Sequence, residues 1–194
     1  MNLKTRDLIL VAMFAALSAV GAFIRIPLPI VPFTLQTFFC AFAGILLGAK
    51  LGMLSQVIYV LLGLMGLPIF TQGGGIDYIF NPTFGYLIGF VVGTYVIGLL
   101  SEKVKNITVI KLFGIIMTGI MIFYIIGVPY LYFIYRFYLQ SDVAIRWAVS
   151  IGFIPTIGGD IVKAIILTGV AYKIVPILSK ERLIPRKGFI YNEG

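Results

Sequence analysis

Histidine is absent from the 194 residues, and cysteine occurs once, at Cys40. Without imidazole there is no His general base, no haem ligand and no zinc site of the usual kind. A single cysteine excludes a disulfide framework and a CxxC motif. Lying in an apolar run, Cys40 reads as a small packing residue. Charge is also scarce: 15 Lys+Arg and 7 Asp+Glu amount to 11% of the chain, against about 25% in soluble domains. Hydrophobic residues make up 60%, and the mean hydropathy is +1.08. So few charges cannot cover the surface of a soluble protein, so the chain reads as an integral membrane protein. The net charge of +8 then points to the positive-inside rule rather than to nucleic acid.

A membrane-crossing helix takes ~20 mostly apolar residues. Pro, Gly and polar clusters divide the chain into six such runs, over about residues 8–24, 33–48, 51–70, 82–100, 109–138 and 144–178. The expectation is an all-α membrane protein with six transmembrane helices in one domain, 1–178, and a short polar cytoplasmic tail, 179–194. The remaining residues leave no room for a soluble catalytic or nucleotide-binding domain. The first run is followed by Arg25-Ile26-Pro27, not by small residues, so it reads as a retained helix rather than a signal peptide. With both termini on one side, that side collects 11 cations: Lys4, Arg6, Lys50, Lys103, Lys105, Lys111, Lys173, Lys180, Arg182, Arg186 and Lys187. The other side holds Arg25, Arg136 and Arg146, and Lys163 falls inside the last apolar run. This split places both termini in the cytoplasm. No internal repeat supports an inverted-repeat carrier.

Three polar stretches fall at the side opposite the termini. Asp160 and Lys163, in PTIGGDIVK at 155–163, are three residues apart and share a helix face. An ionisable residue at membrane depth costs several kcal/mol. Pairing reduces that cost, and the pair is either a ligand site or a packing device. Pro155 and Gly158-Gly159 are expected to interrupt the last helix and to open a cavity mouth. In VPFTLQT at 31–37, Thr34 and Gln36 offer uncharged donors and acceptors, with helix capping by Thr34 as the plainer role. From Gly73 to Tyr86, a Gly run permits close backbone approach to a ligand, without a phosphate-binding GxxxxGK[ST] pattern. Asn81 is a ligand group or a cap ahead of Pro82, and Tyr86 is a stacking ring or bundle filler. The convergence suggests one pocket of few polar groups in an apolar cup. On the first helix, Ala12, Ala15, Ala16 and Ala19 form small-xxx-small pairs that suit close helix contact, within this chain or with a partner.

VPFTLQT at 31–37, GLMGLPIF at 63–70, the GGG that follows, NPTFGYLIGF at 81–90 and PTIGGDIVK at 155–163 together resemble the BioY family. Its members are biotin-binding S-components of energy-coupling factor (ECF) transporters. The resemblance spans nearly the whole chain. It implies a pocket for biotin near the outer face. It also implies partnership with a transmembrane T-component and two ABC-type ATPases, which bring the only ATP; no cofactor or metal is expected on this chain. By resemblance, Asp160 and Asn81 are candidates for the ureido group. Lys163 would hold Asp160 ionised or meet a ligand oxygen. Thr34, Gln36, Gly74 and Tyr86 are further candidates, and the alanine stripe resembles an S-component docking face. The competing functions are an S-component for another vitamin, or an autonomous ion-coupled carrier using Asp160. An intramembrane enzyme is disfavoured by the lack of His, of a metal cluster and of a second carboxylate at membrane depth. The expected location is the cell membrane, multi-pass, in contact with the lipid bilayer.

Overall fold

The computed structural model describes residues 4–104, 107–181 and 183–185. Among them are the helices α1 (Thr5–Phe23), α2 (Gln36–Leu64), α3 (Phe84–Lys103), α4 (Val109–Phe133), α5 (Ile145–Gly152) and α6 (Ile154–Lys180). A two-residue antiparallel hairpin, β1 (Arg25–Ile26) and β2 (Phe33–Thr34), links α1 to α2, and a 3-10 turn, Ile76–Phe80, precedes α3. The helices are apolar around most of their circumference because one face meets the bundle and the other meets lipid. A helix also satisfies its own backbone where no water is present.

Among the described residues, five stretches are long and apolar enough to cross a membrane, where six were expected. The difference lies in α2, which combines the second and third apolar runs. It is interrupted at Gly48, where φ is +79° and ψ −174°, a backbone region open essentially to glycine. In a straight helix, residues 36 and 59 would stand ~35 Å apart. Instead the Gln36 amide donates to the Tyr59 hydroxyl at 2.8 Å, and the Cys40 thiol donates to Gln56 Oε1 at 3.1 Å. The chain therefore reverses at Gly48, and the two arms of α2 run antiparallel. Glu102, at the end of α3, closes the turn by accepting the Ala49 N–H at 2.8 Å.

Around this hairpin, α1 packs on α2, α3 lies between α2 and α4, and α6 contacts both α4 and α2. The fully buried Phe14, Tyr59, Ile97, Phe123 and Leu167 come from five different helices. Cys40 is a packing residue as expected, but its thiol also joins a buried polar cluster. Ser18 Oγ of α1 and Cys40 Sγ both reach Gln56 Oε1, at 3.0 and 3.1 Å.

Other boundaries differ from expectation for local reasons. The second helix starts at Gln36, not at residue 33, because Phe33 and Thr34 pair with Ile26 and Arg25. The third ends at Leu64, six residues early, with Pro68 just beyond, unable to continue a helix. The fourth starts at Phe84, after the Asn81 turn. The fifth widens into a π turn over Ile134–Tyr138. The interruption of the last run is at Phe153, before Pro155, and Gly158-Gly159 are helical. Pro155 sits in the first turn of α6, where its missing N–H costs nothing. Lys105, Arg182, Arg186, Lys187 and most of the expected tail lie outside the described residues.

Candidate functional site

One end of the bundle holds a small, half-open cavity. Its wall draws on the β2–α2 junction (Phe33, Thr34, Gln36, Thr37), the loop before α3 (Thr71, Tyr78, Thr83), and α3, α4 and α6. The three polar stretches, far apart in sequence, thus meet at one place.

Its charged pole is Asp160 with Lys163. Both are on α6, ion-paired, and only 2% and 7% exposed. Asp160 Oδ1 also accepts the Thr37 hydroxyl at 2.9 Å, and Oδ2 accepts the Tyr124 hydroxyl. The Tyr124 oxygen lies 2.8 Å from Thr156 Oγ1. Lys163 Nζ donates to the Thr34 carbonyl at 2.7 Å and to Thr37 Oγ1 at 2.5 Å, and lies 4.1 Å from the centre of the Phe33 ring. An ammonium has three protons, and all three of Lys163 are engaged. A carboxylate has about four acceptor positions. Three are filled, and a position remains on Oδ2. The arrangement leaves a held carboxylate able to accept one more donor from the cavity. Gly159 is part of the same device: a Cβ there would collide with the Phe33 ring.

The other predicted residues divide. Thr34 and Gln36 line the cavity. Thr34 does not cap α2; its Oγ1 accepts the Gln36 N–H at 3.3 Å from a strand position. Gln36 holds the Tyr59 hydroxyl. Tyr86 also lines the cavity. Its hydroxyl donates to the Gly152 carbonyl at 2.9 Å, beside the α5–α6 break, and its ring meets that of Tyr124 edge-on at 6.1 Å. Asn81 and Gly74 are not brought to the wall. Asn81 Oδ1 accepts the N–H and hydroxyl of Thr83 at 2.9 and 2.8 Å, and Nδ2 donates to Gln72 Oε1 at 2.8 Å, so the side chain shapes the loop. Gly74 packs against the backbone of Gly63 and Leu67. The alanines separate too: Ala12 and Ala16 are exposed, Ala19 is half-buried, and Ala15 is buried in the core.

Sequence reasoning missed Thr37 and Tyr124, the two hydroxyls on Asp160. Thr37 ends the VPFTLQT motif. Tyr124 is a hydroxyl in the middle of the long apolar run of α4. Tyr78, Thr71 and Thr83 on the loop were missed as well. No group of three or more His, Cys, Asp or Glu able to hold a metal occurs among the described residues.

The long apolar helices define a multi-pass, all-helical membrane protein. A buried ion pair and a mostly apolar cavity at one end mark it as a binder of a small molecule. A model of the BioY family matches residues 1–180, and the chain belongs to that family. It is 44% identical over 181 residues to the "Probable biotin transporter BioY" of Lysinibacillus sphaericus, covering 93% of this chain and 92% of that protein. It is 42% identical over 170 residues to the "Biotin transporter BioY" of Thermotoga maritima, covering 87% and 95%. A crystal structure of the S-component for biotin from an ECF-type ABC transporter matches with a TM-score of 0.76 at 26% identity, over 94% of this chain and 93% of that one.

Proposed function

We propose that the chain is the biotin-binding subunit of an ECF transporter. The observation that carries this reading is the buried Asp160–Lys163 pair in the cavity wall of a BioY-family chain. Biotin offers two ureido N–H groups, a ureido carbonyl, a thioether ring, an aliphatic chain and a carboxylate. Asp160 accepts a ureido N–H at its open Oδ2 position. Lys163 pairs with Asp160 rather than reaching the ligand, since its protons are already engaged. Thr37 and Tyr124 fix the carboxylate, and Gln36, Thr34 and Tyr86 complete the wall. Asn81 and Gly74 act indirectly, through the loop.

The two antiparallel arms of α2 make six crossings out of five helical stretches. Both termini then lie in the cytoplasm with Lys50, Lys103, Lys111, Lys173 and Lys180, and the cavity opens outward beside Arg25, Arg136 and Arg146. The membrane is the cell membrane. The protein binds and carries rather than catalyses, and takes energy only through partners: a T-component and two ABC-type ATPases.

Alone in liposomes, the chain should bind biotin without accumulating it. With the T-component and ATPases, ATP should drive uptake. Ala12 and Ala16, one turn apart on the exposed face of α1, are the docking stripe. Ala16→Trp should abolish ATP-driven uptake while leaving biotin affinity within about twofold of the parent, since the new ring faces outward. Uptake by the isolated chain along a proton gradient would favour the ion-coupled carrier instead.

A further inference from the structure

The cavity has a second polar pole, which the contacts assigned above do not use. Thr71, Tyr78 and Thr83 line it on the loop side. Thr71 Oγ1 lies 3.2 Å from the Tyr78 hydroxyl, which lies 3.0 Å from Thr83 Oγ1. Thr83 in turn donates to Asn81 Oδ1 at 2.8 Å. Each hydroxyl has one proton. With that of Thr83 on Asn81, Tyr78 donates to Thr83 and Thr71 to Tyr78. The chain runs one way, and Asn81 is itself anchored on Gln72 at 2.8 Å. Tyr78 and Thr83 are buried, so these hydroxyls are a built surface rather than loop decoration.

The two poles are separated along the wall. Tyr86 lies one helical turn beyond Thr83, and its ring meets that of Tyr124, which holds Asp160. Leu87, Phe90 and Phe123 add apolar wall. Such a cavity fits a molecule with a polar group at each end and hydrocarbon between. The two N–H groups of a ureido belong to one small ring and cannot span both poles. With the ureido at Asp160, the hydroxyl pole meets the far end of the molecule.

We propose that Thr71, Tyr78 and Thr83 form the subsite for the ligand's carboxylate and select the acid over its neutral amide. This rests on the assignment of the ureido group to Asp160. Hydroxyl protons rotate to suit their acceptor. Hydrogen bonds to a carboxylate are about twice as strong as the neutral bonds they replace. An entering carboxylate therefore turns the chain toward itself, and a neutral amide gains little by doing so.

Calorimetric titration of the full chain with biotin and with biotinamide tests the subsite. The parent should prefer biotin. Tyr78→Phe keeps the ring against Phe70, 4.6 Å away centre to centre, and removes the hydroxyl. It should weaken biotin roughly ten- to hundredfold and the amide only about threefold. Thr71→Val should shift the same preference in the same direction, which covers the case of Tyr78→Phe failing to fold. Equal losses for both ligands, or unchanged biotin affinity in a folded variant, overturn the subsite and leave the Asp160 assignment standing. Failure of the parent to bind biotin overturns both.

Discussion

Replacing Asp160 by Asn should weaken biotin binding roughly ten- to hundredfold, because a hydrogen bond to a charged group contributes about 1.5–3 kcal/mol. The same change leaves Lys163 buried without its counter-charge, which costs stability as well. Removing one member of a buried pair is strongly destabilising, whereas removing both is often neutral or better. The variant Asp160→Asn with Lys163→Met therefore separates two roles. A pair that only fastens α6 to the β2–α2 junction predicts recovered melting temperature and near-parent affinity in the double variant. A binding pair predicts recovered melting temperature with affinity still low. The geometry favours the second outcome. Thr37, Tyr124 and Lys163 converge on Asp160 and leave one acceptor position open to the cavity. Melting temperature and biotin affinity on the parent, the two single variants and the double decide the matter.

Gly48→Ala should lower stability by about 3 kcal/mol. Holding a non-glycine residue in this backbone region costs about 1–3 kcal/mol. In addition, the new methyl group would meet the Glu102 carboxylate, which caps the Ala49 N–H. Loss of that cap adds about 1 kcal/mol. Because the reversal sets Gln36 against Tyr59, biotin affinity should fall along with the melting temperature. Gly158→Ala is the control. Nothing lies within 4 Å of a Cβ at Gly158, and Ala is the better helix former by about 1 kcal/mol. That variant should melt at or above the parent temperature. A Gly48→Ala protein that melts like the parent would contradict the role given to the turn.

Long apolar runs are legible because the bilayer imposes a length and a composition on every crossing. Asp160 and Lys163 are legible for the same reason: charge at membrane depth is costly enough to need an explanation. Uncharged hydroxyls carry no such signal. Tyr124 in an apolar run looks like any aromatic residue, and only the folded bundle brings it to Asp160. Asn81 is legible as a polar group with two possible roles, a cap or a ligand group. A lone amide between a Gly run and a helix suits either, and the folded loop shows its local partners, Thr83 and Gln72. The gap between the runs 33–48 and 51–70 marks a short turn, and the chain makes it on a single residue, Gly48. The pairing of Arg25–Ile26 with Phe33–Thr34 is not legible, and Phe33 and Thr34 read as the start of the second helix, because two residues per strand are too few to show a two-residue period. On α1, four alanines in the sequence give no indication of which side faces the core. The fold assigns Ala15 inward and Ala12 and Ala16 outward.

The central claim is that this chain, without nucleotide or partner proteins, holds biotin in the Asp160 cavity. Calorimetric titration of the purified protein with biotin and with a panel of other vitamins, in the absence of ATP, tests it most directly. Biotin alone of the panel should bind tightly and saturably, and that binding should be lost in the Asp160→Asn/Lys163→Met double variant. Strong binding of a different vitamin with no response to biotin would contradict it.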